Sequence, residues 1–349
     1  MTVVAGPDLM HSEHPSHIQP RFSPLLFGVS IVALVWSAVL LFAGGFTTSI
    51  GAGMAFLDWP LSNGSLNPEG WTQNADQMAE HSHRLAGMII GILSLIIAVS
   101  FHRIEKRKSV RWIAYALVLF VIAQGVLGGL RVLLDNLNTG ADSNAVARSF
   151  AIAHAMGAQG VVLTLASLVV LSCPGWFRTS TRSHRLSSVQ LLGYTALGFL
   201  IVAILIGAVM RHNGAGLAIQ TFPAAAPDGS WLPSSDNFGV WVHFLHRTLG
   251  ILGGILVLAF SLVAASQKTL PYQARALAVG SAFLTGIQIW LGLLILETMR
   301  NPHVTTLHML NGAALVATLW SSIFWSHRSL IPSEKPAPSS VSSRKPYAA

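Results

Sequence analysis

Two short stretches decide the fold of this chain: Glu80-His81-Ser82-His83-Arg84 and Val242-His243-Phe244-Leu245-His246-Arg247. Each opens a long apolar run. Carboxylate, imidazole and guanidinium groups at the end of such a run are costly to desolvate unless each has a partner. The His-Arg pair recurs 163 residues later, from His83 to His246. The chain therefore repeats itself and carries two related pockets.

Outward from these stretches the sequence is that of a membrane protein. Of 349 residues, 52% are hydrophobic and 10% charged, with a mean hydropathy of +0.58. Soluble domains carry roughly a quarter charged residues. Eight apolar runs, near 25–45, 84–101, 112–132, 150–171, 190–210, 243–265, 275–296 and 306–326, are each long enough to cross a hydrocarbon core of ~30 Å. They are continuous rather than alternating, which predicts helices and not strands. No cleavable signal is expected, since the first run starts near Leu25 and is long enough to span.

Charge sets the expected orientation. Fifteen of the 21 Lys and Arg fall in the N-terminal tail and in the stretches after the second, fourth, sixth and eighth runs. The remaining six are Arg84, Arg131, Arg148, Arg211, Arg247 and Arg300. By the positive-inside rule both termini are cytoplasmic. The pI near 10.3 is then a topology signal and argues against nucleic acid as a partner. A single cysteine, Cys173, excludes an intramolecular disulfide.

The halves align further. Gly44, Gly51, Gly53, Pro60 and Gly87 fall on Gly207, Gly214, Gly216, Pro223 and Gly250, and with small shifts Gln124 meets Gln288 and His154 meets His308. The expected fold is an all-α membrane protein of eight transmembrane helices in two tandem, pseudo-symmetric four-helix bundles, a parallel repeat. Its expected parts are a disordered cytoplasmic tail (1–24), an N-terminal bundle (25–172), a cytoplasmic linker (173–189), a C-terminal bundle (190–327) and a second disordered tail (328–349). His11, His14 and His17 lie in the first tail. The long outer stretches 46–80 and 211–242 read as lids.

His83, His154, His246 and His308 are expected at one depth near the outer side. Two histidines on different helices of one bundle suit axial ligation of a haem iron. Arg84 and Arg247, each next to a ligand, are placed to pair with propionates. A lone transmembrane histidine is otherwise a helix–helix contact; zinc is disfavoured because no thiol or carboxylate accompanies the set in the fourth and eighth helices. Glu80 shares a helical face with His83, whereas its repeat counterpart is His243. One reading gives chemistry to the pocket holding the acid; the other has Glu80 capping its helix. His81 is expected to face elsewhere. His243, Gln124, Gln288 and Asn311 read as supporting groups or helix contacts. His102, His184, His212, His303 and His327 read as solvated. Gly87/Gly91, Gly125/Gly129 and Gly250/Gly254 have the spacing of close helix packing.

Taken together, residues 25–326 resemble the heme A synthase family. The resemblance is carried by Gly44-Gly45-Phe46-Thr47 with Gly51-Ala52-Gly53, by Asp58-Trp59-Pro60, by Glu80 to Arg84, by the His154 and His308 helices, by Gly207 to Arg211 with Gly214 to Ala218, and by His243 to Arg247. It implies oxidation of the C8 methyl of heme O to the formyl of heme A by two hydroxylations, with oxygen from water. It implies that Glu80, His83 and His154 serve a substrate pocket and that His246 and His308 hold heme b. It further implies membrane lipid, heme O synthase and terminal oxidase assembly factors as partners, and an electron acceptor that the sequence does not identify. The chain departs from many relatives at Thr48, where they have Arg, and in lacking an outer-loop cysteine pair, with Ile219-Gln220-Thr221-Phe222-Pro223 where a Cys and a Trp-Pro are often found. A diheme cytochrome b without catalysis and a transporter with ion-binding histidines are the competing readings.

Overall fold

A computed structural model describes residues 21–136, 144–181 and 187–330; the histidines of the N-terminal tail, His184 and residues after 330 lie outside them. Eight helices follow in order: α1 (Pro24–Ser49), α2 (Ala75–Ile104), α3 (Lys108–Asn136), α4 (Ala145–Ser172), α5 (Ser188–His212), α6 (Phe238–Ser266), α7 (Tyr272–Glu297) and α8 (Pro302–Ser326). All are long and apolar enough to cross a membrane, and the protein is a multi-pass membrane protein.

Capping residues explain where the helices begin. Asn74, Asn144, Asn237 and Asn301 each accept amide hydrogens from the first turn of α2, α4, α6 and α8, which satisfies donors that have no helical partner. Ser187 and Gln190 form a reciprocal capping box on α5. Because Asn74 starts α2 well before the apolar run, Glu80 lies in the second turn and does not cap the helix. Its neighbours differ accordingly (below).

Each half is a closed ring. α1 packs on α2 and α4, and α3 bridges α2 and α4; α5 to α8 repeat the pattern. The rings meet through α1 on α8, α4 on α5 and α4 on α8, the exchange expected of a two-fold repeat. The central helices are accordingly the more enclosed: 56% of the apolar window of α4 is buried, against 17% in α3. Outward residues such as Val35, Ile122, Leu262 and Phe283 are exposed, as a lipid-facing surface requires.

The dry cores lie at the end opposite the two long loops. Ile97, Phe101, Leu117, Leu165 and Leu168 fill one half, and Val257, Phe260, Leu319 and Ile323 the other. That end also holds an unexpected ribbon: β1 (Thr179–Thr181) pairs antiparallel with β2 (Arg328–Leu330). Arg328 donates to the Thr179 carbonyl and hydroxyl and lies over Trp176, drawing into the fold a segment that composition places in the tail.

Candidate functional site

At the loop end the cores give way to two pairs of imidazoles. The His83 (α2) and His154 (α4) rings have centroids 6.4 Å apart and planes at 83°; for His246 (α6) and His308 (α8) the values are 6.3 Å and 67°. Two imidazoles sharing one metal through nitrogen bonds of ~2 Å, with ring centres set back by about 1 Å, fall at this separation. His154 Nδ1 donates to the Gln124 carbonyl at 3.0 Å and His246 Nδ1 to the Ala203 carbonyl at 2.9 Å. Such a bond leaves Nε2 as the lone-pair ligand. The Leu40 carbonyl, counterpart of Ala203, lies near His83 without reaching hydrogen-bond geometry, so His83 Nδ1 is a buried atom without a partner. At His308, Nδ1 is likewise unpartnered, and Nε2 accepts from the Gln288 amide at 3.1 Å. Half a turn of this ring about its Cβ–Cγ bond moves both nitrogens.

Glycines shape the space around the rings. A Cβ on Gly44 would fall 2.6 Å from His83 Cε1, and one on Gly207 2.8 Å from His246 Cε1. One turn beyond the α2 and α6 ligands, Gly87 and Gly250 face open space, as do Gly91 and Gly125. The expectation of close helix packing holds at Gly254, where a Cβ would fall 3.2 Å from Thr285 Cγ2 of α7, and is corrected at the others: Gly87, Gly91 and Gly250 face open space, Gly125 is exposed on the outer surface, and Gly129 receives the Trp59 side chain. Paired imidazoles, open glycines and apolar walls fit a flat metalloporphyrin in each half.

Beside the first pair, Glu80 is 4% exposed. Its Oε1 pairs with Arg84 Nη2 at 2.5 Å and its Oε2 accepts from the Phe56 amide at 3.0 Å. Both charges of this buried pair are hydrogen-bonded, as burial demands. Arg84 also donates to the carbonyls of Phe56, Asp58 and Leu61. It is thus committed to the loop, where the sequence suggests a propionate partner. Asp58 accepts from the Asn63 and Gly64 amides, both at 2.8 Å. Partial burial pushes the Asp58 carboxyl up, but those amides and the Arg84 charge outweigh it and hold the group below its ordinary value. In the second half the Ile219 amide, counterpart of Phe56, donates to His243 Nδ1 at 3.2 Å. His243 thus does with a neutral ring what Glu80 does with a charge. Arg247 donates to the Thr221 carbonyl at 2.7 Å, and its Nη1 is buried without a partner.

The cytochrome oxidase assembly protein family (COX15-CtaA) matches residues 27–320. The chain belongs to this family. It is similar to a heme A synthase of Bacillus licheniformis, 27% identical over 69% of this chain and 76% of that protein. A heme A synthase of Bacillus cereus is 23% identical over 86% of this chain and 93% of its own length, and one of Shouchella clausii is 27% identical over 66% and 73%.

In this family member His102 and His303 are exposed, as expected of solvated groups, whereas His81 is buried and His212 and His327 are half-buried. His81 bonds Ser62 at 3.0 Å and packs against Trp71 and Phe56, away from His83 as expected. His102 meets the Tyr115 hydroxyl, His303 lies against Phe46, and His327 bonds Gln190 and Tyr194. Asn311 donates to Gln288 Oε1 at 2.7 Å, so those two residues support His308. His212 lines a cavity with Arg131 and Arg148, three residues that the sequence places only as charges or solvated groups at the outer side. Arg211, noticed only as the counterpart of Thr48, crosses between the halves to the Gly45 carbonyl at 2.6 Å and the Ser49 hydroxyl at 2.8 Å. Only the charge difference between repeat-equivalent positions signals these residues in the sequence.

Proposed function

We propose that the protein is a heme A synthase. It binds heme O in the N-terminal bundle (25–172), where His83 and His154 take the iron and Glu80 stands beside it. The C8 methyl is hydroxylated twice with oxygen from water, and the gem-diol loses water to leave the formyl of heme A. Each hydroxylation releases two electrons and two protons. The C-terminal bundle (190–327) holds heme b through His246 and His308, with Arg247 Nη1 available to a propionate. Bound there, heme b supplies one-electron transfer toward an external acceptor.

The chain's own residues divide the work. Glu80, held by Arg84 and the Phe56 amide, keeps a buried negative charge next to His83. That charge orients a water or takes its proton. Arg84 anchors the carboxylate to the loop, and the loop shields the pocket from bulk water. His308 gives up its Gln288 bond, or turns, to present a lone pair. Both termini lie in the cytoplasm of a bacterial cell, which puts the loop end and both pockets at the outer side of the inner membrane. Heme O synthase and oxidase assembly factors are the partners that such chemistry implies.

The observation that carries this reading is the matched geometry of two imidazole pairs with an acid beside only one. Haems extracted from the protein purified out of cells that supply heme O decide it. Heme O, its hydroxylated form or heme A alongside heme B supports the enzyme. Heme B alone points to an electron carrier, and the lack of any Soret band removes both.

A further inference from the structure

Where the two halves meet at the loop end, a cavity of about 370 Å³ is lined by Arg131 and Asp135 of α3, Ala147, Arg148 and Ala151 of α4, and His212 at the tip of α5. Two guanidiniums outnumber one carboxylate, so the cavity is positive even with His212 neutral. It also lies directly above the first imidazole pair. Ala147, Ala151 and His154 occupy one stripe of α4, which sets the cavity ~4–10 Å outward from the ligand along the helix. On α3, Gly128, Arg131 and Asp135 form the facing stripe, and a Cβ on Gly128 would lie 3.3 Å from His154 Cε1.

The second half does not repeat these residues: its loop end carries Arg211, against Met309 beside His308, and Arg300, against Gly216. The counterparts of Arg148 and His212 are Pro302 and Ser49, and that of Arg131 on the helix is Ile295. Arg131 alone has a stand-in, Arg300, which lies against Gly216 as Arg131 does against Gly53. The combination of Arg131 and Arg148 with an imidazole from the other half is particular to the N-terminal pocket.

We propose that this cavity takes the propionate carboxylates of the porphyrin held by His83 and His154, so that His212 of the C-terminal half completes the N-terminal pocket. The proposal rests on the functional reading above. Guanidiniums bind carboxylates by paired, charge-assisted hydrogen bonds, and the cavity lies one to two turns along α4 from His154, where carboxylates of a porphyrin held by His83 and His154 would have it within reach. A lipid phosphate has similar chemistry and is separated by the test.

The test titrates the full-length protein in nanodiscs with iron protoporphyrin IX and with its dimethyl ester, following the part of the Soret change that His83→Ala removes. The wild type is expected to bind the free acid roughly tenfold or more tightly than the ester. Arg148→Gln/His212→Gln is expected to lose that preference while keeping ester affinity and melting temperature. Equal binding of acid and ester by the wild type overturns the proposal, as does a preference that survives in the double variant. A preference that appears only when anionic lipid is left out of the nanodiscs assigns the cavity to a headgroup and also overturns it. If His83→Ala removes none of the Soret change, the N-terminal haem pocket itself fails and this inference falls with it, an outcome distinct from equal acid and ester binding.

Discussion

The two halves share a scaffold and differ in charge. In each, a loop amide one repeat apart, from Phe56 or Ile219, is accepted by the side chain three residues before the α2 or α6 histidine. The Trp59–Pro60 and Phe222–Pro223 bonds are both cis, and Gly44 and Gly207 lie against equivalent rings. What changes is the acceptor: a carboxylate with its guanidinium in one half, a neutral imidazole in the other. A folding requirement for an acceptor at this place is met equally well by either group. The charge at Glu80 neutralises Arg84, and on the function proposed above it is also the charge that the chemistry uses.

The largest expected effect breaks the comparison at that position. Glu80→Gln keeps an acceptor for the Phe56 amide but removes the charge; heme A formation is expected to fall ~100-fold or more, read by chromatography of extracted haem. His243→Gln should leave heme A yield close to wild type. Equal losses from the two variants would make Glu80 a loop tether like its counterpart. Next in size, His154→Ala should remove the bis-imidazole spectrum of one haem and His308→Ala that of the other; loss of both signals from either variant would mean the pockets are not independent. Smaller again, Gly44→Ala and Gly207→Ala should each cost about 1–3 kcal/mol through displaced ligand rings, with Gly44→Ala the worse because its Cβ comes closer. Differential scanning calorimetry of the haem-loaded protein measures both, and a neutral Gly44→Ala would show that the His83 ring is free to move.

Spans and pockets were legible in the sequence to different degrees. Eight apolar runs and four histidines in repeat register carry the fold and the two pairs, because membrane thickness sets helix length and the repeat fixes depth. The start of α2 was hidden: Ala75 to Ala79 look like loop, and only the Asn74 cap turns them into helix and moves Glu80 inside it. Of the glycine pairs only Gly254 packs closely against a neighbouring helix, because spacing reports where a helix is smooth, not what lies against it. Arg131, Arg148 and His212 are far apart in the chain and become one cavity only through the packing of α3 and α4 against α5, a contact between halves that no periodicity encodes.

The smallest effect separates the halves at their opposite end. The first half closes there with Glu105, which accepts from Arg107 at 2.7 Å. Burial raises the Glu105 carboxyl, but the Arg107 bonds and charge outweigh it and hold the group below its ordinary value. Its contribution is present above the unfolded value and is lost only as pH falls through the folded one, below that range. The second half closes with His327, bonded to Gln190 and Tyr194, and burial holds its imidazole below 6.5. A neutral ring favoured by the fold stabilises fully above the unfolded value, and this contribution fades as pH drops through the lower folded one. Between pH values of about 7 and 5 the second half should therefore soften while the first does not. Hydrogen exchange at the ends of α5 and α8 away from the two long loops, compared with α2 and α3, reads the difference. His327→Gln should flatten the pH dependence of α5 and α8; an unchanged slope in that variant would assign the softening to another group.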